Sequence, residues 1–430
     1  MDMTTLGIIA IVAMLVLLFL RVPIAIAMGI PGIIILFTQG GWTLLSGVTY
    51  SIIWNHALSY TLVTVPMFVL MGELLYVSGI TANVYTAVRT WLWRLRGGLA
   101  VATIGASAIF AAASGSSVAT VGTLGRVASE EMRVAKYDDR LASGAIVAGG
   151  GLGILIPPST ALILYGLLTD ESIGKLFIAG LLPGLILTGF FIITIILVVT
   201  AFPNMASKAE RVPVASHWPL LGSVGLILAV FVVVIGGLYM GLVSVTEASG
   251  LGAAIALIAG IVTRKLNLAK TKLAVMRSVR TTGFIFAIII GAFLLNHVLA
   301  TTRVANKLTA AIVGLDVPTV WIFVGIVILY LILGALMDTF AMIVITVPIV
   351  VPIILALGFD SIWFGIVLVV LIEIALITPP IGMNIFVLKG VAPTIPMGKM
   401  FSGAAIFMVP MLVLIALLYA FPDIALFLTR

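Results

Sequence analysis

The chain has 430 residues, of which 63% are hydrophobic and 9% are charged, and its formal net charge is +7. These fractions exclude an ordinary soluble domain and predict a polytopic protein of the lipid bilayer. The basic residues lie in short segments between apolar stretches, which indicates membrane orientation and argues against nucleic-acid binding. The lack of cysteine excludes disulfide bonds and thiolate metal sites.

Ten apolar stretches are long enough to cross a bilayer. In chain order, the predicted spans cover residues 5–20, 24–38, 58–79, 141–168, 176–201, 217–236, 244–263, 281–299, 361–390 and 398–420. Two further apolar regions, 97–135 and 317–358, are each too long for one span and carry polar or acidic residues near the middle. We predict that both are re-entrant hairpins.

Charges beside these regions predict their orientation, because basic residues in short loops mark the cytoplasmic side. The first hairpin is flanked by basic residues, so both of its ends are predicted to face the cytoplasm. The loop 264–280 holds six Lys or Arg and no acid, so it is also predicted to be cytoplasmic. The second hairpin lies between Asp316 and Asp360 and contains no Lys or Arg, so its ends are predicted to face outward. The two hairpins therefore enter the membrane from opposite sides.

The same order of elements is predicted twice. The first repeat, 1–201, has scaffold spans in 5–57, an arm in 80–96, the hairpin 97–135 and a broken span in 141–168. The second repeat, 202–430, has scaffold spans in 217–263, an arm in 301–316, the hairpin 317–358 and a broken span in 361–390. Five crossings per half is an odd number, so the halves are inverted, as in many secondary transporters. The predicted fold is an all-α polytopic membrane protein with about ten transmembrane helices and two re-entrant helical hairpins.

A helix break follows each hairpin turn at a matched distance. The turn "AASGSSVATVGTLG" precedes "GGGLGILIPPST", and the turn "LGALMDTFAMIVI" precedes "EIALITPPIGMN". Ser116 lies 41 residues before Pro157, and Asp338 lies 41 residues before Pro379. A single Gly or Pro in a membrane helix is usually a kink or a packing feature. Paired breaks behind paired hairpins favour a functional role.

Backbone groups released by a helix break are tolerated in a membrane only where they line a polar site. Released carbonyls with Ser and Thr hydroxyls suit a hard cation, while half-helix N-termini attract an anion. The breaks therefore predict two cation sites with an anion between them. Asp338, at a hairpin turn, is the leading acidic candidate. Glu373 could bind a cation or pair with a neighbouring helix, and Arg126 could meet a carboxylate or extend toward the cytoplasm.

These motifs resemble the large membrane subunit of tripartite ATP-independent periplasmic (TRAP) transporters. The resemblance is carried by "SGSSVATVGTLG", "GILIPPS", "GLVSVTEASG", "LGALMDTFAMIVITVPIVVPI" and "ITPPIGMNIFV", which span almost the whole chain. It implies a sodium-driven, elevator-type importer of organic anions, such as C4-dicarboxylates or sialic-acid-like carboxylates, in the bacterial inner membrane. It also implies two partners, a small four-span membrane subunit and a soluble periplasmic solute receptor.

The resemblance implies the site residues by position, with two or more Na⁺ ions and no organic cofactor. The first sodium site would involve Ser114, Ser116, Ser117, Gly149, Gly150 and Gly151. The second would involve Gly334, Asp338, Thr378, Pro379 and Met383. The predicted substrate-binding residues are Ser116, Ser117, Thr120, Arg126, Pro157, Pro158, Ser159, Thr339, Pro380 and Asn384.

Two alternatives stay open at this stage. A single-component sodium/dicarboxylate symporter also uses paired hairpins and would work without a receptor. An intramembrane enzyme or an assembly scaffold is an alternative of a different class. The sequence contains no metalloprotease motif, nucleophile elbow or phosphate-binding loop, which argues against it. The sequence therefore predicts a transporter and no enzymatic activity.

Overall fold

The computed structural model describes residues 2–57, 59–92, 95–207, 218–334 and 337–429, and this part of the chain is helical, without a strand. Short 3-10 turns lie at Tyr60–Val63 and Pro203–Met205. The helices of the first half are α1 (Met3–Phe19), α2 (Ile24–Ala57), α3 (Thr64–Val77), α4 (Ile80–Leu92), α5 (Gly98–Ser114), α6 (Ser117–Val134), α7 (Asp139–Leu155), α8 (Thr160–Thr169) and α9 (Ile173–Ala201).

The second half has eleven helices in the described part, and a π-helical segment, Val232–Gly236, joins the first two. They are α10 (Trp218–Phe231), α11 (Gly237–Tyr239), α12 (Val245–Val262), α13 (Leu268–Thr302), α14 (Val304–Val313), α15 (Thr319–Gly334), α16 (Thr339–Ala356), α17 (Ser361–Leu376), α18 (Met383–Val391), α19 (Met397–Ala420) and α20 (Asp423–Leu426).

The helices confirm the predicted class, an all-helical membrane protein. By length and composition, seven described helices are long and apolar enough to cross a membrane, and eight if the bent pair α7 and α8 forms one span. Several others, including α1, α15 and α17, are apolar but shorter. The count of ten crossings, the re-entrant path of the hairpins and the division into two repeats stay predictions.

The structure differs from the sequence prediction in the basic segment before the eighth span. Residues 268–280, which we predicted as loop, form the first turns of the long helix α13. Asn267 caps this helix by accepting a hydrogen bond from the Lys270 backbone amide at 2.9 Å. The loop prediction rests on the polarity of the Lys and Arg residues alone. Both residue types readily form helices, so polarity does not exclude a helix here. The helix therefore begins thirteen residues before the predicted boundary at 281.

Helices of the two halves pack against each other. The helix α2 lies along α13, and α3 lies along α12. At the α2–α13 crossing, a Cβ added to Gly291 would lie 2.4 Å from the carbonyl oxygen of Ala25. Such close backbone approach at small residues is the usual way in which membrane helices associate. The α2 helix then kinks at Gly40–Gly41, where Gly41 has a φ of 62°.

The centre of the protein is formed by α7 and α17, the helices that precede the two breaks. All residues of α17 and residues Leu141–Leu155 of α7 are buried. A helix that is apolar on every side belongs in an interior of this kind. Polar groups at the N-terminal end of α17 are bonded: the Tyr165 hydroxyl donates to the Ser361 carbonyl at 2.6 Å, and the Trp363 indole donates to the Leu418 carbonyl at 2.8 Å.

Candidate functional site

The turn of the first hairpin is seated on the first helix break. Gly115, between α5 and α6, has a φ of 59°, a conformation that favours glycine. Its carbonyl accepts a hydrogen bond from the Thr160 hydroxyl at 3.0 Å. A Cβ at this position would lie 2.5 Å from the carbonyl oxygen of Pro158. The turn and the break therefore fit together only because residue 115 has no side chain.

The hydroxyl groups of the first hairpin form a small network beside α7. The Thr120 hydroxyl lies 2.8 Å from the Ser116 carbonyl and 3.1 Å from the Ser114 hydroxyl. Ser116 caps α6 by accepting from the Ala119 backbone amide at 3.3 Å, and Ser159, fully buried, caps α8 in the same way at Leu162. The predicted hydroxyls thus lie together, although several of them also serve as helix caps.

The three glycines of α7 let other groups approach this helix closely. A Cβ added to Gly149 would lie 2.5 Å from the Ser107 hydroxyl, and one added to Gly150 would lie 2.2 Å from a Val121 methyl group. A Cβ on Gly151 would lie 2.8 Å from an oxygen of Glu373. Because consecutive residues point to different sides of a helix, the glycine run lets α5, α6 and α17 each approach α7 closely from a different side.

In the second half, Asp338 caps α16. Its carboxylate accepts a hydrogen bond from the Ala341 backbone amide at 2.9 Å. Gly334 lies against Ala375 of α17, since an added Cβ would come within 1.9 Å of the Ala375 Cβ. Thr378 donates to the Ile374 carbonyl at 2.6 Å, and Met383 is the first residue of α18. Thr378 and Met383 therefore lie at the second break and Gly334 lies against the helix that precedes it, while Asp338 is placed only as the cap of α16. The role of these residues as cation ligands stays a prediction.

The two breaks differ in exposure. Pro157 and Pro158 are buried, whereas Pro379 and Pro380 are exposed. Both Pro–Pro peptide bonds are cis. Thr339, the first residue of α16, is half-buried beside Phe340. The first break is therefore enclosed while the second lies at the surface of the chain.

A cavity of about 540 Å³ lies between the first hairpin and the helices α3 and α13. Its wall includes Ser114, Ser116 and Arg126 from the predicted set, and the second half contributes Phe340 and Val391. The remaining lining residues are Val69, Gly72, Glu73, Tyr76, Phe110, Ala119, Gly122, Thr123, Thr160 and Thr281. A wall of this kind, apolar with a few hydroxyls, one cation and one acid, is typical of a small-molecule site.

The charged residues of this cavity differ in their partners. Glu73 lies 3.7 Å from Arg277, whose guanidinium also lies 5.6 Å from the centre of the Tyr76 ring. Arg126 is exposed to the cavity and forms no ion pair with any residue in the described part of the chain. It is therefore a cation that an anionic ligand could engage.

Three predicted or candidate residues come together away from the cavity. The Ser117 hydroxyl donates to Glu373 at 3.1 Å, and the Asn384 amide donates to the Ser117 hydroxyl at 2.6 Å. Ser117 and Asn384 are buried and do not line the cavity, so the structure does not bring them to the place where a ligand would enter. The sequence had suggested Glu373 only as one of two possibilities, because nothing local indicates its contact with a hairpin 256 residues away.

Replacement of Gly115 by Ala is expected to lower both transport and stability. The left-handed conformation costs a residue with a side chain about 1–2 kcal/mol, and the new Cβ would also displace Pro158 from the hairpin turn. Uptake in proteoliposomes and the melting temperature check this result. Gly79→Ala is the matched control, because Gly79 has a φ of 73° but no atom within 4 Å of an added Cβ. Equal loss of uptake in both variants would mean that backbone strain alone explains the effect.

Comparison with known proteins agrees with this architecture. A family model described as the DctM component of the tripartite ATP-independent periplasmic transporters matches residues 11–424. The C4-dicarboxylate TRAP transporter large permease protein DctM of Pseudomonas aeruginosa is 36% identical over 371 residues, which cover 85% of this chain and 86% of that protein. The sialic acid TRAP transporter permease protein SiaT of Haemophilus influenzae is 30% identical over 426 residues, or 97% of this chain and 67% of that protein.

Among solved structures, the fold is similar to that of the Alcanivorax borkumensis YdaH transporter, with a TM-score of 0.60 and 15% sequence identity over 89% of this chain and 90% of that one. At this identity the likeness concerns the fold alone. The family model covers nearly the whole chain, and the relatives match it over most of its length. The chain therefore belongs to the DctM family, the large membrane permeases of the tripartite ATP-independent periplasmic transporters.

Proposed function

We propose that this permease imports organic anions across the bacterial inner membrane and that sodium drives the import. The observation that carries the proposal is the cavity between the first hairpin and α3, in which Arg126 faces hydroxyls and lacks a described ionic partner. A carboxylate would accept paired hydrogen bonds from the guanidinium. The names of the relatives, which refer to C4-dicarboxylate and sialic acid, support a carboxylate substrate.

Sodium coupling is proposed from the chemistry of the two breaks. The first has the Ser114, Ser116 and Ser117 hydroxyls at the turn of the adjoining hairpin, and the second has Thr378 at the break and Gly334 and Asp338 in the second hairpin region. Oxygen ligands of this kind suit a hard monovalent cation, and a bound ion would supply positive charge near the carboxylates. The chain's own contribution is to hold the hairpin turns against the breaks, as Gly115 and Thr160 do.

An elevator movement follows from this division of the chain. The elements α5–α8 and α15–α18 carry the hairpins and breaks and would move together, while the predicted scaffold spans would remain with the small four-span subunit. The cavity lies between α6 of the moving group and α3, a helix outside both the moving group and the predicted scaffold spans. A soluble periplasmic receptor would deliver the anion to this face. Movement at that boundary would change the side from which Arg126 is reached.

Transport by reconstituted proteins tests this function. Uptake of labelled succinate and N-acetylneuraminate into proteoliposomes is expected to require an inward sodium gradient, the small subunit and the receptor, and to need no ATP. Uptake that proceeds equally with choline in place of sodium would contradict the coupling. Full uptake without receptor and small subunit would instead identify the single-component symporter.

A further inference from the structure

Glu373 of the second half meets the proposed first-half cation site. One of its carboxylate oxygens, Oε2, accepts from the Ser117 hydroxyl at 3.1 Å and from the Asn384 amide at 3.4 Å. The same oxygen lies where a side chain on Gly151 would be, 2.8 Å from the position of an added Cβ. Ser117 and Gly151 both belong to the residue set proposed for the first sodium ion. The first-half set contains no acid of its own.

Two oxygens in this group lack hydrogen-bond partners among the described residues. They are Oε1 of Glu373 and Oδ1 of Asn384. Both residues are buried, with relative exposures of 1% and 0%. Buried oxygens of native proteins are nearly always satisfied, and leaving one unpaired is destabilising, most of all for a charged group. With Glu373 ionised, both atoms are acceptors only, so neither can donate to the other, and a cation is a partner that either atom could accept.

No side chain of the described helices neutralises Glu373. The hydrogen bonds it receives come from the neutral groups of Ser117 and Asn384, and no ion pair involves it. The charges on α6 begin nine residues after Ser117, about 13 Å along the helix. On the other helices packed around α17, the charged residues lie at or near helix ends: Asp139, Arg140, Lys175, Asp338, Lys389, Lys399 and Asp423.

We propose that Glu373 and Asn384 complete the first cation site from the opposite half of the chain, with Glu373 Oε1 and Asn384 Oδ1 as ligands of a bound sodium ion. This proposal rests on the proposed sodium coupling and adds a charged ligand to one of its two sites. A buried carboxylate without a partner is strongly unfavourable, so the ion supplies the positive charge that the described side chains do not. Each of the two proposed sites then has one carboxylate, Glu373 at the first and Asp338 at the second, and both come from the second half of the chain. Because Glu373 flanks the second break, occupation of the first site would also hold the two halves together.

Direct binding of ²²Na⁺ to the purified permease complex in nanodiscs tests the proposal without reference to transport. Glu373→Gln keeps the size of the side chain and removes its charge. We expect this variant to bind one sodium ion fewer per permease chain than wild type, or to bind that ion at least about ten-fold more weakly, a change of about 1.4 kcal/mol. Glu171→Gln, which removes an acid between α8 and α9, is the matched control and should bind as wild type does.

The outcomes separate this proposal from the one on which it rests. If wild type binds no sodium, the sodium coupling itself fails. If wild type binds sodium and Glu373→Gln retains the same stoichiometry and affinity, the coupling stands and the role of Glu373 as a ligand is overturned. Should Glu373→Gln fail to give a monodisperse complex, Asn384→Ser decides instead. That variant is expected to weaken sodium binding by about ten-fold, and unchanged affinity would overturn the proposal.

Discussion

Asp338→Asn is expected to reduce sodium-dependent uptake by at least about ten-fold while leaving the hairpin folded. Asn is as good a helix cap as Asp, so the bond to the Ala341 amide is retained and only the charge is lost. No Lys or Arg lies between residues 317 and 358 to serve as an ionic partner for this carboxylate. The proposed sodium ion would therefore lose its charged ligand, and the ten-fold loss corresponds to at least about 1.4 kcal/mol of binding energy.

Asp360→Asn is the control for this experiment. Asp360 also caps a helix, since its carboxylate accepts from the backbone amides of Ile362 at 2.7 Å and Trp363 at 3.1 Å. Both variants thus remove a negative charge from a helix N-terminus, and the control is expected to transport as wild type does. If Asp338→Asn were expressed normally and matched wild type in rate and sodium dependence, Asp338 would be a structural cap and the second site would consist of neutral oxygens.

Arg126→Gln is expected to raise the apparent KM for a carboxylate substrate by about 10- to 100-fold with a smaller effect on the maximal rate. Hydrogen bonds to charged groups contribute about 1.5–3 kcal/mol, and this arginine faces the cavity without a described ion-pair partner. Arg126→Lys keeps the charge but loses the planar pair of donors, so it should lie between wild type and Gln. Initial rates of uptake across a substrate series measure all three proteins.

Arg133→Gln provides the comparison for this position. Arg133 lies two helical turns further along α6 and pairs with Glu130 at 2.6 Å, with both side chains exposed. Exposed pairs of this type contribute about 0–1 kcal/mol, so neither stability nor KM should change much. An equal rise in KM for Arg126→Gln and Arg133→Gln would show that general surface charge, and not a contact in the cavity, sets the affinity.

The paired breaks are the part of the site that a single sequence reveals best. Gly and Pro disrupt helices through their own covalent structure, so "LIPPST" and "ITPPIG" mark the breaks without knowledge of any contact. The hairpin turn at Gly115 is visible for the same local reason. The second turn is indicated by Gly334 and by Asp338, an acid within an apolar region. By contrast, the cap formed by Asp338 depends on where α16 begins, and the start of α13 depends on tertiary context that overrides local polarity.

Contacts between the halves lie beyond such reasoning. The bond from Ser117 to Glu373 joins residues 256 positions apart, and no periodicity in either segment encodes it. The same holds for the cavity, in which Glu73 forms an ion pair with Arg277 whereas Arg126 forms none with a described residue. Which of several acids and cations lacks a partner depends on all the residues around each one, and a single sequence does not show these.

The unequal exposure of the two breaks has a consequence for the transport cycle. The buried Pro157–Pro158 and the exposed Pro379–Pro380 place one motif in two environments within a single chain. If the halves are inverted copies, exchanging these two environments generates a second arrangement of the whole molecule, with the first break exposed and the second buried. The protein would then carry, in its own asymmetry, a template for the state that faces the other side of the membrane.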